Sequence, residues 1–98
     1  MPKKYQTLHL RLTLKTVTIP AQEDHNGIRA AKVILKWECP VCGEMRGETT
    51  TGRSYDGSKI LYCNTWINPC GHIDKYSDIR EEAIRNPYNG GKLLLVYT

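Results

Sequence analysis

The string Cys39-Pro40-Val41-Cys42-Gly43 constrains this chain more than any other feature. Two thiolates separated by two residues in a tight turn can chelate one tetrahedral zinc ion at about 2.3 Å per sulfur. Gly43 lets the backbone reverse directly after the second ligand. The other half of such a site must come from Cys63, Cys70 and His72, of which one is surplus. A staple of this kind suits the chain's size. Ninety-eight residues without a single Phe form one domain, and a chain this short buries only about 60 to 68% of the surface its unfolded form exposes.

Other uses of the four cysteines fit less well. Two disulfides belong to oxidising compartments, and Met1-Pro2-Lys3-Lys4-Tyr5 is followed by no apolar leader. No stretch approaches the roughly 18 apolar residues of a membrane span, and the expected location is cytoplasmic. A redox Cys-x-x-Cys needs its first thiol at a helix N-terminus, whereas Glu44-Met45-Arg46-Gly47 and a threonine run follow here. A catalytic zinc keeps one position open for water. Four available cysteines point instead to a closed, structural site and to a protein that is not an enzyme.

The hydrophobic pattern around this motif is mostly that of strands. Leu8, Leu10, Leu12 and Leu14 alternate with polar residues, and the alternation slips at Thr16 before Val17 and Ile19 resume it, as at a bulge. Pro20 ends the strand, and Asn26-Gly27 marks a turn into a hairpin. Val33, Leu35 and Trp37 then alternate as a second strand. Residues 47–57 hold no aliphatic side chain and read as a loop or loose hairpin tip around Asp56-Gly57, after which residues 60–62 lead a strand into Cys63. Residues 78–86 make the one helix, with Asp78 as cap, Glu81 as its capping-box partner, and Ile79, Ala83 and Ile84 as the apolar stripe. Residues 93–97 read as a final buried strand, which could pair with the first. The expected fold class is α+β: a small antiparallel β-sheet, a metal element over residues 37–76 and one short C-terminal helix.

Residues 37–76 resemble the zinc-ribbon family, in which a Cys-Pro-x-Cys-Gly knuckle on one hairpin faces a second Cys-x-x-Cys-Gly knuckle. The match is close at residues 39–43 and again at Cys70-Gly71, but six residues separate Cys63 from Cys70 where the family has two. Two ligand sets follow: Cys39, Cys42, Cys63 and Cys70, or Cys39, Cys42 and Cys70 with His72. The first is preferred because residues 60–62 deliver Cys63 at a strand end. His72 would then be a surface imidazole or a neighbour hydrogen-bonded to the cluster.

The resemblance implies a role in binding nucleic acid, and the charge distribution bears on it. Residues 1–22 hold Lys3, Lys4, Arg11 and Lys15 and no acid, so they carry the whole net charge of +4, while the rest of the chain is balanced. The expected contact set is Lys3, Lys4, Arg11, Lys15, Arg53 and Trp66, with Arg11 and Lys15 on one polar strand face and Trp66 exposed in the insertion before Cys70. Arg46, Arg53, Tyr55 and Lys59 could meet a phosphate backbone, but they are interleaved with Glu44, Glu48 and Asp56, a pattern typical of a solvated face. His9 and His25 have no evident partners. The competing expectation is a protein-interaction or adaptor module in which Trp66 covers the knuckle or docks a partner protein. No membrane or small-molecule partner is expected in either case.

Overall fold

The structure, a computed structural model, describes residues 13–23 and 29–97. Its strands are β1 (Leu14–Pro20), β2 (Arg29–Lys36), β3 (Thr50–Asp56), β4 (Lys59–Thr65) and β5 (Leu94–Tyr97). Helix α1 (Tyr76–Arg85) and a 3-10 turn (Pro87–Asn89) separate β4 from β5. The class is α+β, with a three-stranded sheet in the order β1-β2-β5 and a two-stranded sheet β3-β4, every pairing antiparallel.

The β-branched alternation of β2 turns Ala31, Val33 and Leu35 to the same side, continued by Trp37, and β1 adds Val17 and Ile19. Helix α1 closes this face with Ile79 and Ala83, one helical turn apart. Full burial of a side chain such as Ile79 contributes about 1.5–3 kcal/mol. Ile84 falls 140° around the helix from Ile79 by the 100° step per residue and is 45% exposed, so it lies outside the stripe expected for it. The expected capping box is also not formed. Lys75 is the N-cap, without a side-chain hydrogen bond. The helix begins early because Tyr76 is fixed to β4, its hydroxyl donating to the Asn64 carbonyl at 2.7 Å. Asp78 then sits inside the first turn, where a carboxylate favours the helix dipole.

The slip in the first strand has a clear outcome. From Leu14 to Pro20 the pairing with β2 is regular, without a bulge. The inward set is that of Val17 and Ile19, which leaves Leu14 outward and 45% exposed. Residues 8–12, the Asn26-Gly27 turn, His9 and His25 lie outside the described residues. Pro20 does end β1, at the sheet edge where no amide is needed. β5 is not buried: Leu94 and Leu95, on opposite faces of this edge strand, are 65% and 46% exposed. It pairs with β2 rather than β1, and only as far as Lys32.

Beyond Lys32 that edge of β2 is completed by a side chain. Asn89 accepts from the Ile34 amide at 2.8 Å and donates to the Ile34 carbonyl at 3.0 Å, reproducing the hydrogen-bond pair a further strand would supply. The same side-chain amide donates to the Ala83 carbonyl at the helix end, so one Asn ties α1 to the sheet.

Gly47, between the cysteine knuckle and β3, is required by a close backbone approach. A Cβ there would lie 1.8 Å from the Ile67 carbonyl oxygen. Gly47→Ala is expected to destabilise the protein by at least the roughly 1–3 kcal/mol of core overpacking. Its urea midpoint should fall well below that of Gly57→Ala, where a Cβ meets open space but the positive φ of 64° is strained.

Candidate metal centre

Two turns carry the ligating side chains. In the first, an isolated bridge between Glu38 and Met45 brings the chain back on itself. The Cys39 amide donates to the Glu44 carbonyl at 2.7 Å and the Gly43 amide to the Cys39 carbonyl at 2.9 Å. Gly43 takes φ +80°, so the turn presents the thiols of Cys39 and Cys42 together. In the second, the Gly71 amide donates to the Asn68 carbonyl and Gly71 takes φ +90°, aiming Cys70 and His72 at the first turn.

The ligand atoms of Cys39, Cys42, Cys70 and His72 all lie within 4.8 Å of one another. His72 Nδ1 is 3.5 Å from the sulfurs of both Cys39 and Cys70. Ligands at about 2.3 Å for sulfur and 2.0–2.1 Å for nitrogen, at tetrahedral angles, stand roughly 3.5 Å apart. The four residues therefore fit one tetrahedral ion with the imidazole bound through Nδ1. The Cys39 thiol is held down to about 7: burial raises it, but hydrogen bonds from the Cys42 and Val41 amides and from the Cys42 and Cys70 thiols outweigh that. Cys42 is raised. The Glu44 amide lowers it, and burial with the neighbouring Cys70 and Cys39 sulfurs overcomes that effect.

Cys63 is not part of this cluster. It is 3% exposed on β4, with its sulfur 3.4 Å from the Tyr76 hydroxyl. Burial pushes its thiol up, only partly offset by that hydrogen bond, so it resists becoming the thiolate a metal needs. The preferred four-cysteine set thus gives way to the set with His72. A strand end delivered Cys63 inward, to the helix, whereas the positive φ of Gly71 needed only one residue between Cys70 and His72. Cys63→Ala is expected to leave the metal stoichiometry unchanged. His72→Ala should lower metal affinity steeply, as elemental analysis after dialysis against a weak chelator would read.

Behind the cluster lies a polar network that composition did not reveal. The Arg46 side chain has no solvent exposure. Its Nε donates to Asp74 at 3.0 Å, its Nη2 and Nη1 to the two Glu82 oxygens at 2.7 and 3.3 Å, and Nη1 also to the Lys36 carbonyl at 3.0 Å. The guanidinium rests 5.5 Å from the Trp37 ring centre. Asp74 Oδ2 also accepts from Trp66 Nε1 and Asn68 Nδ2, both at 2.9 Å. Burial raises the Asp74 carboxyl, but the hydrogen bonds from Asn68 and Trp66 and the Arg46 charge bring it below its ordinary value. Arg46 follows the first turn and Asp74 the second, so this network welds both ligand-bearing segments to α1.

The structure redistributes the expected contact set. Lys3, Lys4 and Arg11 lie outside the described residues. Lys15 lies on the inward phase of β1, with its ammonium 5.5 Å from the Trp37 ring centre, rather than on an outward polar face. Trp66 packs edge-on against Trp37 at 5.1 Å between ring centres, and its indole is committed to Asp74. Arg46, expected on a solvated face, is internal. Arg53 alone of the described contact residues is exposed and not packed into the core.

The fold and site together define a small α+β protein with a Cys3His cluster able to hold one metal ion. Among the described residues no helix is long and apolar enough to cross a membrane. Comparison with protein-family models, curated proteins and solved structures gives no match.

Proposed function

We propose that this chain is a binding module whose single zinc ion is structural and that it engages single-stranded nucleic acid through the outer face of its β3-β4 hairpin. Zinc fits the donor set, since three soft thiolates and an imidazole in tetrahedral array suit it and fill its shell. The protein's contribution is then a rigid platform rather than an open coordination position.

The observation that carries the ligand class is the outer face of the hairpin. Leu61 and Cys63 point inward from β4, so Ile60 and Tyr62 point outward, paired across the ribbon with Tyr55 and Arg53. Tyr55 is 60% and Tyr62 53% exposed, and the Arg53 guanidinium lies 5.9 Å from the Tyr62 ring centre. Diagonal neighbours on such a ribbon are about 7–8 Å apart, which lets each tyrosine take its own base in an extended strand. Asp56, the acid of this hairpin, belongs to the alternate set with Gly52 and Ser54. The face therefore offers aromatic surface and positive charge without a carboxylate, the combination that holds unpaired bases and their phosphates.

Fluorescence anisotropy of the zinc-loaded protein with a labelled oligonucleotide, single-stranded and as duplex, tests this. Base–aromatic stacking is worth about 1–3 kcal/mol per base, so Tyr55→Ala and Tyr62→Ala should each weaken single-strand binding about tenfold. Arg53→Ala should lower both the affinity and its salt dependence, the slope becoming shallower by about 0.7 for each single-strand phosphate the protein no longer neutralises. Unchanged affinity in a folded Tyr55→Ala, Tyr62→Ala double variant would refute the reading.

A further inference from the structure

The three most exposed large hydrophobic residues among those described all flank metal ligands: Ile67 at 88%, Ile73 at 85% and Val41 at 72%. Val41 lies between Cys39 and Cys42, Ile73 follows His72, and Ile67 lies in the loop before Cys70. They are contiguous. Val41 and Ile73 border one depression of about 250 Å³, and Ile73 and Ile67 border a second of about 170 Å³, so Ile73 forms the ridge between them. Single apolar side chains at a surface are ordinary, but a linked set on a rigid support marks an interaction site.

The larger depression has a definite charge. Its lining includes Asp74, Asp78, Glu81 and Glu82. Against these four carboxylates stand two guanidinium groups: Arg46, bound to Asp74 and Glu82, and Arg85, paired with Glu81 at 3.6 Å. The balance is negative in a chain whose net charge is +4. Phosphates are repelled there, and a cationic segment is attracted.

We infer that this collar is a docking surface for a basic, amphipathic segment of a partner protein. The segment's aliphatic side chains enter the depressions on either side of Ile73, and its Lys or Arg side chains reach Asp78 and Glu81. The turns that carry the collar are fixed by the Arg46 network, so little ordering cost accompanies binding. This surface is separate from the hairpin face proposed above for nucleic acid and does not depend on it.

The test is a titration of the ¹⁵N-labelled, zinc-loaded protein with a synthetic Leu/Lys amphipathic peptide, beside its Leu/Glu counterpart and a single-stranded oligonucleotide. Saturable shifts confined to residues 40–42, 67–73 and 78–82 are expected with the Leu/Lys peptide. Ile73→Ser should weaken that binding at least tenfold, and Asp78→Asn with Glu81→Gln about threefold or more, with the charge effect vanishing at high salt. Both sites are exposed, so the variants remain folded. Tyr62→Ala should leave peptide affinity unchanged, which separates this surface from the hairpin. Equal binding of the Leu/Glu peptide, binding of the oligonucleotide at these residues, no response to either peptide, or self-association abolished by Ile73→Ser would each overturn the inference.

Discussion

Chelating the metal from the loaded protein is expected to unfold it, with loss of the strand signal in circular dichroism and recovery when zinc is returned. Structural zinc contributes about 10–16 kcal/mol of apparent binding free energy near neutral pH, which equals or exceeds the roughly 5–15 kcal/mol total stability of an ordinary domain. A bound ion would join the two turns at the front of the cluster, where Cys42 and His72 are exposed, opposite the Arg46 network behind it. With the ion gone, the sulfurs and the imidazole no longer tie the Cys39 turn to the segment leading into α1, and the Arg46 network is left to join them. Cobalt substitution supplies an independent reading, since three sulfurs and one nitrogen around a tetrahedral ion give an intense thiolate charge-transfer band. An unchanged spectrum and urea midpoint after complete chelation would mean that the core stands without a staple.

The second large effect is expected at Arg46. Arg46→Met keeps an alkyl stem against Trp37 but leaves Asp74, 7% exposed, and Glu82, 23% exposed, without their shared cation. Breaking a buried ion pair from one side costs about 3–5 kcal/mol, because the remaining charge stays desolvated. The urea midpoint of the zinc-loaded variant measures this, with Arg85→Met, at an exposed helix pair, as a control whose change should stay within about 0.5 kcal/mol. The sign of the pH dependence follows from Asp74. In the wild type its native pKa is depressed, so its contribution is present at neutrality and is lost only as pH falls through that low value. Without Arg46 the carboxyl keeps the hydrogen bonds from Asn68 and Trp66 but loses the neighbouring cation, so its native pKa is less depressed and the variant's deficit should narrow as pH is lowered from neutrality.

Much of the scaffold was legible because it depends on local pattern. The period-two runs at Val17 and Ile19 and at Val33, Leu35 and Trp37 gave the hairpin of β1 and β2. The punctuation at Asp56-Gly57 marks the tip between β3 and β4, but residues 47–57, expected as a loop or loose hairpin tip for want of aliphatic side chains, contain strand β3, held by its pairing with β4. The Cys-Pro-Val-Cys-Gly turn gave half of the metal centre. The helix is legible too, but its N-cap is Lys75, three residues before the expected Asp78. What anchors it is Tyr76 bonded to Asn64 on β4, an interaction no capping rule contains.

The rest lay in side chains whose roles are set by distant partners. Arg46 reads as one more charge in a mixed surface loop, yet it meets Asp74 and Glu82, 28 and 36 residues further along the chain. Only these partners, with the Trp37 ring beneath the guanidinium, make it internal. Cys63 and His72 were both chemically able to complete the zinc shell, and spacing could not choose between them. An α+β chain with a thiolate knuckle is already implied by the order of the residues, because hydrophobic period and chelating turns are properties of neighbours. The fourth ligand facing the cluster, the burial of Arg46, the inward turn of Lys15 toward Trp37, and the apolar residues left outside all had to wait for the folded chain, because they depend on how β4 and α1 pack across the sheet.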